Sequence, residues 1–330
     1  MTRRKRIGVI GTFVWDIIHG RDPRGVPVEE WGGITYSLSG FDAALPADWE
    51  LVPLVKVGED LAPRAREYLR GLRRMAPDAQ PVVVPYRNNR VELFYHDAER
   101  RSEVLTGGVP GWSWIGLAPL VSNLDALYVN LLSGNELDLE TAQLLRQHFS
   151  GPIYGDLHSL VLGTREDGLR TWQRLPNASE WCRCFDFVQA NEEEAAMMAD
   201  DPMVLAASAI AGGAQTFVVT LGHRGVVYFA APAFSRLSDL PPRDSRRFAL
   251  ASTAGTIKTA LVPQRIAQVV DGGDPTGCGD VWGATYFSRL VAGDIIADAM
   301  RAALEAAARN VEHRGATGLA HYLRGELSPT

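Results

Sequence analysis

A short glycine-rich stretch near the carboxyl end carries the residues best suited to chemistry. It runs from Asp274 to Asp280, with the sequence Asp-Pro-Thr-Gly-Cys-Gly-Asp, and leads into a helix-like segment at 281–290. Two glycines flank a small residue, so the N–H groups of Gly277, Cys278 and Gly279 are expected to face one point at the positive end of a helix dipole. Such a point suits an anion. The carboxylate of Asp280 would repel a phosphate, so we interpret it as a base that takes the proton of a hydroxyl attacking that phosphate.

Two further polar segments follow strand-like runs. Residues 191–194, Asn-Glu-Glu-Glu, come after the run Phe185–Gln189 and open a helical stretch. Acidic residues in a first helical turn complement the helix dipole, so this segment taken alone is structural. Residues 220–225 hold Gly222 and Gly225, which allow a tight turn and the close approach of a ligand. Taken alone, this second segment is an ordinary hairpin turn.

The amino-terminal third contains groups suited to binding hydroxyls. Asp16 ends the run Gly11–Asp16, and a carboxylate accepts two hydrogen bonds from a vicinal diol. In the middle of the chain, Asp156 ends another strand-like run, where the carboxyl ends of parallel strands face a crevice. The first strand lacks the G-x-G-x-x-G pattern, so the main support for a dinucleotide-dependent dehydrogenase is absent.

Apolar and helical segments alternate through most of the chain. The predicted strands are 6–10, 51–57, 126–132, 153–155, 185–189 and 217–221, and the predicted helices are 61–75, 137–148, 192–199, 203–211 and 294–313, the last with Asp294 as N-cap. This alternation predicts an α/β fold with a mainly parallel sheet covered on both faces. No low-complexity linker divides the 330 residues, so we expect a single domain at 1–330.

Three segments depart from this alternation. Residues 12–40 are rich in glycine and aromatic side chains, and 81–105 predict two strands, Val82–Tyr86 and Val91–Tyr95, joined as a hairpin by an asparagine-rich turn. An ordinary edge hairpin is the alternative for this pair. Residues 231–262 are charged and weakly patterned, so we expect an insertion there, and a loop of that length is usually functional or mobile.

Composition restricts the class of protein. The net charge of −6 argues against a nucleic-acid or membrane-surface binder, and the basic run at 3–6 is interpreted as a solvated strand flank. Three cysteines, Cys182, Cys184 and Cys278, form neither a disulfide framework nor a zinc spacing. No apolar run approaches the roughly 20 residues needed to span a bilayer. We therefore expect a cytoplasmic protein.

The stretch at 274–280 resembles the D-T-x-G-A-G-D segment of the ribokinase-like (PfkB) carbohydrate kinases. Asp274, Gly277, Gly279 and Asp280 match this pattern, whereas residues 275 and 278 depart from it. Cysteine for alanine keeps the backbone N–H, and proline stands where no donor is needed. Matches to the other family segments follow in the family's order from residue 11 to residue 280, and this order is more specific than any single match.

The resemblance implies a fold, a reaction and a set of site residues. The fold would be a three-layer sandwich with a small β-lid from about 12–40 and 81–105, and the enzyme would be a kinase that transfers phosphate from ATP, with Mg²⁺, to a hydroxyl of a small sugar or nucleoside. The implied roles, by position in this chain, are catalysis by Asp280 with the amides of Gly277, Cys278 and Gly279; substrate binding by Asp16, Gly32, Gly33, Ser37 and Asp156; nucleotide binding by Asn191, Thr220, Gly222, Gly225, Asp274, Thr276 and Asn310; and binding of magnesium through its water shell by Asn191 and Glu194.

The same resemblance leaves several points open. The family carries an asparagine where this chain has Ser37, and serine is shorter with one donor instead of two, so contact with the sugar must be altered or transferred to another group. Phe13, Trp15 and Trp31 could form an aromatic slot for an adenosine-like substrate. A homodimer through the lid and a need for a monovalent cation stay undecided, as does the identity of the substrate. The alternative function is a regulatory protein of the same fold that binds sugar or nucleotide without turnover.

Overall fold

The computed structural model describes residues 3–19, 26–95, 101–240, 255–264 and 273–327. Its strands are β1 (Lys5–His19), β2 (Val28–Gly33), β3 (Trp49–Gly58), β4 (Val82–Val84), β5 (Arg90–Tyr95), β6 (Arg101–Thr106), β7 (Ala126–Asn130), β8 (Ile153–Asp156), β9 (Leu162–Thr164), β10 (Arg170–Trp172), β11 (Phe187–Asn191), β12 (Thr216–Thr220), β13 (Val226–Ala230) and β14 (Lys258–Val262). Its α-helices are α1 (Ile34–Ala44), α2 (Ala62–Arg70), α3 (Trp114–Val121), α4 (Leu139–His148), α5 (Ala178–Arg183), α6 (Glu192–Met198), α7 (Pro202–Ala211), α8 (Cys278–Val291), α9 (Ile296–Val311) and α10 (Leu319–Leu323).

The main sheet is mostly parallel, as the alternation of strands and helices predicts. Its strand order is β14-β13-β12-β11-β8-β7-β1-β3-β4, and every neighbouring pair from β12 to β4 is parallel. The pairs β12–β13 and β13–β14 at one edge are antiparallel. Helices α1, α8, α9 and α10 pack together as one layer, and α3, α4, α5, α6 and α7 as another. The prediction of an α/β sheet covered on both faces is therefore confirmed.

Strand β1 is much longer than its predicted core of residues 6–10. Its first part lies in the main sheet, whereas residues 13–18 pair antiparallel with β2 and residues 15–19 pair parallel with β5. Strand β6 then pairs antiparallel with β5. We call β2, β5, β6 and residues 13–19 of β1 the β-extension.

The hairpin predicted between Val82–Tyr86 and Val91–Tyr95 is wrong. Strand β4 instead joins the edge of the main sheet beside β3, and the antiparallel partner of β5 is β6. The backbone groups of residues 82–84 form parallel sheet hydrogen bonds with β3 at the edge of the main sheet. Such a long-range pairing cannot be read from the local turn sequence. Within the segment 12–40, residues 34–40 belong to helix α1 and not to the β-extension.

Two further local predictions need correction. Helix α9 begins at Ile296 with Ile295 as its N-cap, whereas Asp294 forms an ion pair with Arg289 at 2.7 Å. Of the predicted insertion at 231–262, the last five residues form β14, which extends the main sheet. Residues 241–254 lie outside the described residues, so the insertion stays a prediction.

Helix α8 is held closely against the centre of the sheet. The ring of Phe287 lies 5.4 Å from that of Tyr154 on β8 and 5.7 Å from that of Phe187 on β11, measured between centroids. A Cβ at Gly283 would lie 2.5 Å from the side-chain oxygen of Gln189, so glycine permits this approach. This packing places the amino end of α8 at the carboxyl edge of the parallel strands.

Candidate active site

The glycine-rich loop before α8 is shaped by Asp274 and Gly277. Asp274 is buried, and its Oδ1 accepts a hydrogen bond from the Thr276 amide at 3.0 Å. Gly277 is the N-cap of α8 with a φ of 76°, a left-handed conformation that favours glycine. The loop therefore ends in the exposed amino terminus of a 14-residue helix.

One of the three amides predicted to face an anion is engaged elsewhere. The N–H of Cys278 donates to the carbonyl of Pro275 at 3.1 Å, so its predicted place in the anion hole is wrong. Among the described residues, none accepts from the amides of Gly277 or Gly279. Because the first amides of a helix lack partners within the helix, these two stay suited to an anion.

The carboxylate of Asp280 lies at this helix end and is held by two side chains. The Nδ2 atom of Asn130 donates to Asp280 Oδ1 at 2.6 Å, and the hydroxyl of Ser37 donates to the same oxygen at 3.4 Å. Burial raises the pKa of Asp280 to about 6, although the positive charge of His158 and these two hydrogen bonds act to lower it. A carboxylate with this pKa is mostly ionised at neutral pH yet close enough to it to accept a proton.

Asn130 is a site residue that sequence reasoning missed. It is the last residue of β7, where its partner in the register of β8 is Asp156. A polar residue that ends a buried apolar strand was the available signal, because the carboxyl ends of parallel strands meet at one edge of the sheet.

Asp156 lies beside the catalytic loop through Gln189. The Nε2 atom of Gln189 donates to Asp156 Oδ2 and to the carbonyl of Gly279, both at 3.1 Å. The pKa of Asp156 is raised well above its ordinary value, first by burial and then by the negative charge of Glu194. The structure thus brings Asp156 to the same site as Asp280. There the Asp156 carboxylate accepts a hydrogen bond from the side-chain amide of Gln189.

Asn191 and Glu194 form a closed hydrogen-bonded pair at the start of α6. The Asn191 side chain accepts from the Glu194 amide at 2.8 Å, and the Asn191 amide donates to Glu194 Oε2 at 2.7 Å. The other carboxylate oxygen, Oε1, accepts from Asn191 Nδ2 and contacts His158 Nδ1, each at 2.7 Å. Burial lowers the pKa of His158, but the hydrogen bond and charge of Glu194 outweigh it and raise this pKa to about 9.

The contact of Asn191 and Glu194 with magnesium through its water shell stays a prediction, because the structure tests only direct ligation. Both oxygens of the buried carboxylate already have protein partners, and the Asn191 oxygen caps the helix. Within the described residues, no group of three or more histidine, cysteine, aspartate or glutamate side chains is placed to hold a metal ion. The pair is therefore explained by the capping of α6.

Asp16, the predicted substrate-binding carboxylate, lies against the glycine-rich end of β2. A Cβ at Gly32 would lie 1.9 Å from Asp16 Oδ2, so only glycine lets this carboxylate lie against the chain at β2. Gly33 is the N-cap of α1 with a φ of 60°, and a Cβ there would lie 2.6 Å from the carbonyl of Thr12. Gly32 is thus required by packing against Asp16, and Gly33 by its positive φ and its packing against Thr12 and Val14.

Tyr36 connects the two helix ends. A Cβ at Gly277 would lie 2.1 Å from Tyr36 Cδ1, so the tyrosine ring packs directly on the catalytic loop. Burial raises the pKa of Tyr36, and the charges of Glu30, Asp16, Asp274 and Asp280 raise it further in that order. The start of α1 and the glycine-rich loop before α8 therefore meet at this ring.

The turn after β12 lies at the same edge of the sheet. Thr220 pairs in register with Asn191, and Gly222 and Gly225 adopt φ angles of 58° and 103°. A Cβ at Gly225 would lie 2.2 Å from the carbonyl of Val262, whereas a Cβ at Gly222 would meet no atom of the described residues within 4 Å. Gly225 is therefore required by strand packing, and the role of Gly222 at a nucleotide stays a prediction.

Sequence and structure comparisons place this geometry among known proteins. Residues 169–321 match the family model of the pfkB family carbohydrate kinases. The match covers slightly less than half of the chain, includes the loop before α8, and confirms the resemblance to the PfkB family in this part. No curated protein sequence matches the chain.

The structural likeness extends over almost the whole chain. The Thermotoga maritima ribokinase is 16% identical with a TM-score of 0.64, over 98% of this chain and 99% of that one. A Burkholderia thailandensis nucleoside kinase in complex with inosine is 16% identical with a TM-score of 0.66, over 96% and 94%. A pyrophosphate-dependent kinase in the ribokinase family, complexed with a pyrophosphate analogue and myo-inositol, is 14% identical with a TM-score of 0.68, over 94% and 96%. The fold is ribokinase-like.

Asn310, which the resemblance to PfkB kinases places at the nucleotide, has another role here. Its side chain is buried and donates to the carbonyl of Thr276 at 2.8 Å and to the sulfur of Cys278 at 3.3 Å. Asn310 therefore supports the glycine-rich loop from α9, and its contact with a nucleotide stays a prediction.

The aromatic residues considered as a slot for a nucleoside base pack on one another. The Trp31 ring lies 5.2 Å from that of Phe13 and 5.0 Å from that of Trp15, measured between centroids, and all three are buried. Trp15 and Trp31 line a cavity of about 410 Å³ together with Tyr68. Since successive side chains of a strand point to opposite faces, this cavity lies on the face of β1 away from Asp16. An aromatic slot for an adenosine-like substrate stays a prediction.

Proposed function

We propose that this protein is a kinase that transfers a phosphoryl group from ATP to a hydroxyl of a small sugar or nucleoside. The observation that carries this proposal is Asp280, a carboxylate with a pKa of about 6 at the amino terminus of α8, beside the unpaired amides of Gly277 and Gly279. The pfkB family match includes this loop, and the ribokinase-like fold supports the same reaction class.

In the proposed reaction, Asp16 binds acceptor hydroxyls and Asp280 takes the proton of the hydroxyl that attacks the terminal phosphate. Both side-chain hydrogen bonds to Asp280 end on Oδ1, so we assign proton uptake to Oδ2. The amides of Gly277 and Gly279 stabilise the charge that gathers on the transferred group, and each well-placed donor contributes on the order of 3 kcal/mol. Magnesium, when bound to a nucleotide, neutralises phosphate charge; no step proposed here depends on a metal held by Asn191 and Glu194.

The β-extension is proposed to act as a lid over the acceptor. The β-extension carries Asp16 on β1, and its strand β2 ends at Gly32 and Gly33, directly before α1. The positions of the β-extension and of α1 therefore both depend on these two glycines. Exclusion of water by such closure would prevent transfer of the phosphoryl group to water. Dimer formation through the lid and a cytoplasmic location stay predictions; in the described residues, no helix has the length and apolar character to cross a membrane.

The test is an assay of ADP release with ATP across a panel of sugars, polyols and nucleosides. Pyrophosphate is supplied as donor in a parallel series with detection of phosphate, because one structural neighbour is a pyrophosphate-dependent kinase. We expect acceptor-dependent turnover that Asp280→Asn abolishes and Asp48→Asn, at an exposed site, leaves unchanged.

The alternative is a regulatory protein of the same fold that binds sugar or nucleotide without turnover. The intact Gly277, Gly279 and Asp280 favour the kinase, because a binding protein needs no base. Ligand-induced thermal stabilisation without turnover by any donor would favour the regulator, and a change of NAD(P)H absorbance would instead indicate a dehydrogenase.

A further inference from the structure

Asn130 makes the shortest side-chain hydrogen bond to the proposed base. Its Nδ2 atom lies 2.6 Å from Asp280 Oδ1 and 3.2 Å from the Ser37 hydroxyl oxygen. Asn130 is fully buried at the end of β7, so its backbone is fixed by pairing with β8. We propose that Asn130 is the positioning residue for Asp280 and that it supplies from β7 the amide that Ser37 cannot supply from α1. This inference rests on the proposed phosphoryl transfer.

The side-chain donors of Asn130 and Ser37 all have acceptors, whereas Asn130 Oδ1 has no hydrogen-bond partner among the described residues. The two protons on Asn130 Nδ2 go to Asp280 Oδ1 and to Ser37 Oγ, and the single Ser37 proton goes to Asp280 Oδ1. Oδ1 is thereby fixed by two donors, and no side chain among the described residues donates to Oδ2. The Asn130 amide thus holds Oδ1 of Asp280 and leaves Oδ2 to take the proton of the attacking hydroxyl.

The same contacts explain how serine can occupy position 37. The side chain at 37 reaches toward Asp280, but its hydroxyl lies 3.4 Å away and has only one proton. An asparagine at 37 would extend further and carry two protons on its amide. Asn130 Nδ2 already lies between Ser37 and Asp280. A side-chain amide at position 37 or at position 130 can therefore donate a hydrogen bond to the Asp280 carboxylate.

Loss of Asn130 should alter the titration of Asp280. The hydrogen bond favours the ionised carboxylate, so its removal raises the pKa of Asp280 further. Other titratable groups act in this region from the neighbouring elements and stay in place in the variant: Tyr36 on α1, Tyr128 on β7, Asp156 on β8, His158 after β8 and Cys278 on α8. The direction of the shift therefore reports the loss of one donor.

The first test compares Asn130→Ala with Asn123→Ala, an exposed asparagine before the other end of β7. We expect Asn130→Ala to lower kcat about 10- to 100-fold with little change in KM for the acceptor, because a hydrogen bond to a charged group is lost. The acid limb of its pH profile moves to higher pH, a change that general loosening of the fold does not produce. Wild-type kcat and an unshifted limb in a folded Asn130→Ala protein would overturn the proposal.

The second test is rescue by Ser37→Asn in the Asn130→Ala background. We expect the double variant to regain most of the lost kcat and to return the acid limb toward that of the wild type. A double variant whose kcat is no higher than that of Asn130→Ala would overturn the proposal that an amide at position 37 can replace the one at position 130. If Asn130→Ala does not fold, Asn130→Ser, which keeps one donor, should show a smaller shift of the same sign.

A readout that does not require turnover separates this proposal from the proposed function. The carboxyl carbon of Asp280 can be followed by NMR in protein labelled with ¹³C-aspartate and assigned with Asp280→Asn. We expect its titration midpoint to rise in Asn130→Ala and to fall back with Ser37→Asn. If the wild type is inactive but the midpoint rises in Asn130→Ala, the kinase function is wrong and the role of Asn130 in holding the carboxylate stands. If the midpoint does not change in Asn130→Ala, the role of Asn130 is wrong.

Discussion

Replacement of Asp280 by asparagine should remove activity and raise stability at the same time. An asparagine keeps the size of the side chain and can still accept from Asn130, but it cannot take a proton from the attacking hydroxyl. General base catalysis contributes about 10²- to 10⁴-fold, so we expect kcat to fall by that factor while KM for the acceptor changes less.

The stability effect follows from the pKa of the carboxyl. Burial raises it from 3.8 to about 6, so the folded protein binds this proton more tightly than the unfolded chain does. Stability is therefore lost as pH rises from about 4 through about 6, and above that range the ionised carboxylate costs on the order of 3 kcal/mol. A neutral asparagine avoids most of this cost, which predicts a rise in Tm of about 5 °C at pH 8 and almost none at pH 4.

The assays are thermal denaturation and steady-state kinetics of both proteins from pH 4 to pH 8.5. In the wild type, kcat should fall as pH drops through about 6, because protonation removes the base. Asp48→Asn, at an exposed site, is the matched control and should change neither kcat nor Tm. Unchanged turnover in Asp280→Asn, or a lower Tm at pH 8, would refute the reasoning that links burial of this carboxylate to its role.

Three further substitutions test the packing of the site. Gly277→Ala should lower both Tm and kcat, because its Cβ would strike the Tyr36 ring at 2.1 Å and φ is 76°; calorimetry and kinetics check this, and a wild-type Tm would contradict it. Gly32→Ala should raise acceptor KM at least about 10-fold by displacing Asp16, whose carboxylate would lie 1.9 Å from the new Cβ; unchanged KM would exclude Asp16 from binding. Glu194→Gln should lower Tm but leave the magnesium concentration for half-maximal activity unchanged, since the carboxylate caps α6; a large rise in that concentration would instead support contact of Glu194 with magnesium through its water shell.

The sequence predicted those parts of the fold that depend on local pattern. The alternation of apolar and helical segments was sufficient for the mainly parallel sheet, because each βαβ unit is a local feature. Pairing between distant segments was not predictable in this way: β4 joins the edge of the main sheet, and β5 pairs with β6 and with the extended end of β1. These partners are chosen by tertiary packing, which local propensity does not record.

The candidate site shows the same division. Asp280 and the glycines at 32, 33 and 277 could be proposed because the chain needs those residue types at fixed spacings. Asn130 could not, since a single asparagine at the end of a strand has many ordinary explanations, and its value appears only when α1 and α8 bring Ser37 and Asp280 to it. The engaged amide of Cys278 was equally hidden, because a loop sequence does not state which of its N–H groups closes a turn.

Acidic groups dominate the described surroundings of Asp280, and this has a consequence for the phosphoryl donor. Asp156 and Asp280 both have raised pKa values, and His158 is the cation that acts on each of them. Its positive charge is already shared with Glu194, with which it forms an ion pair at 2.7 Å. Under the proposed function, a phosphate arriving at the end of α8 would gain from the amides of Gly277 and Gly279 and would be opposed by the ionised Asp280 carboxylate. We therefore expect a preference for a donor whose charge is partly neutralised before it arrives.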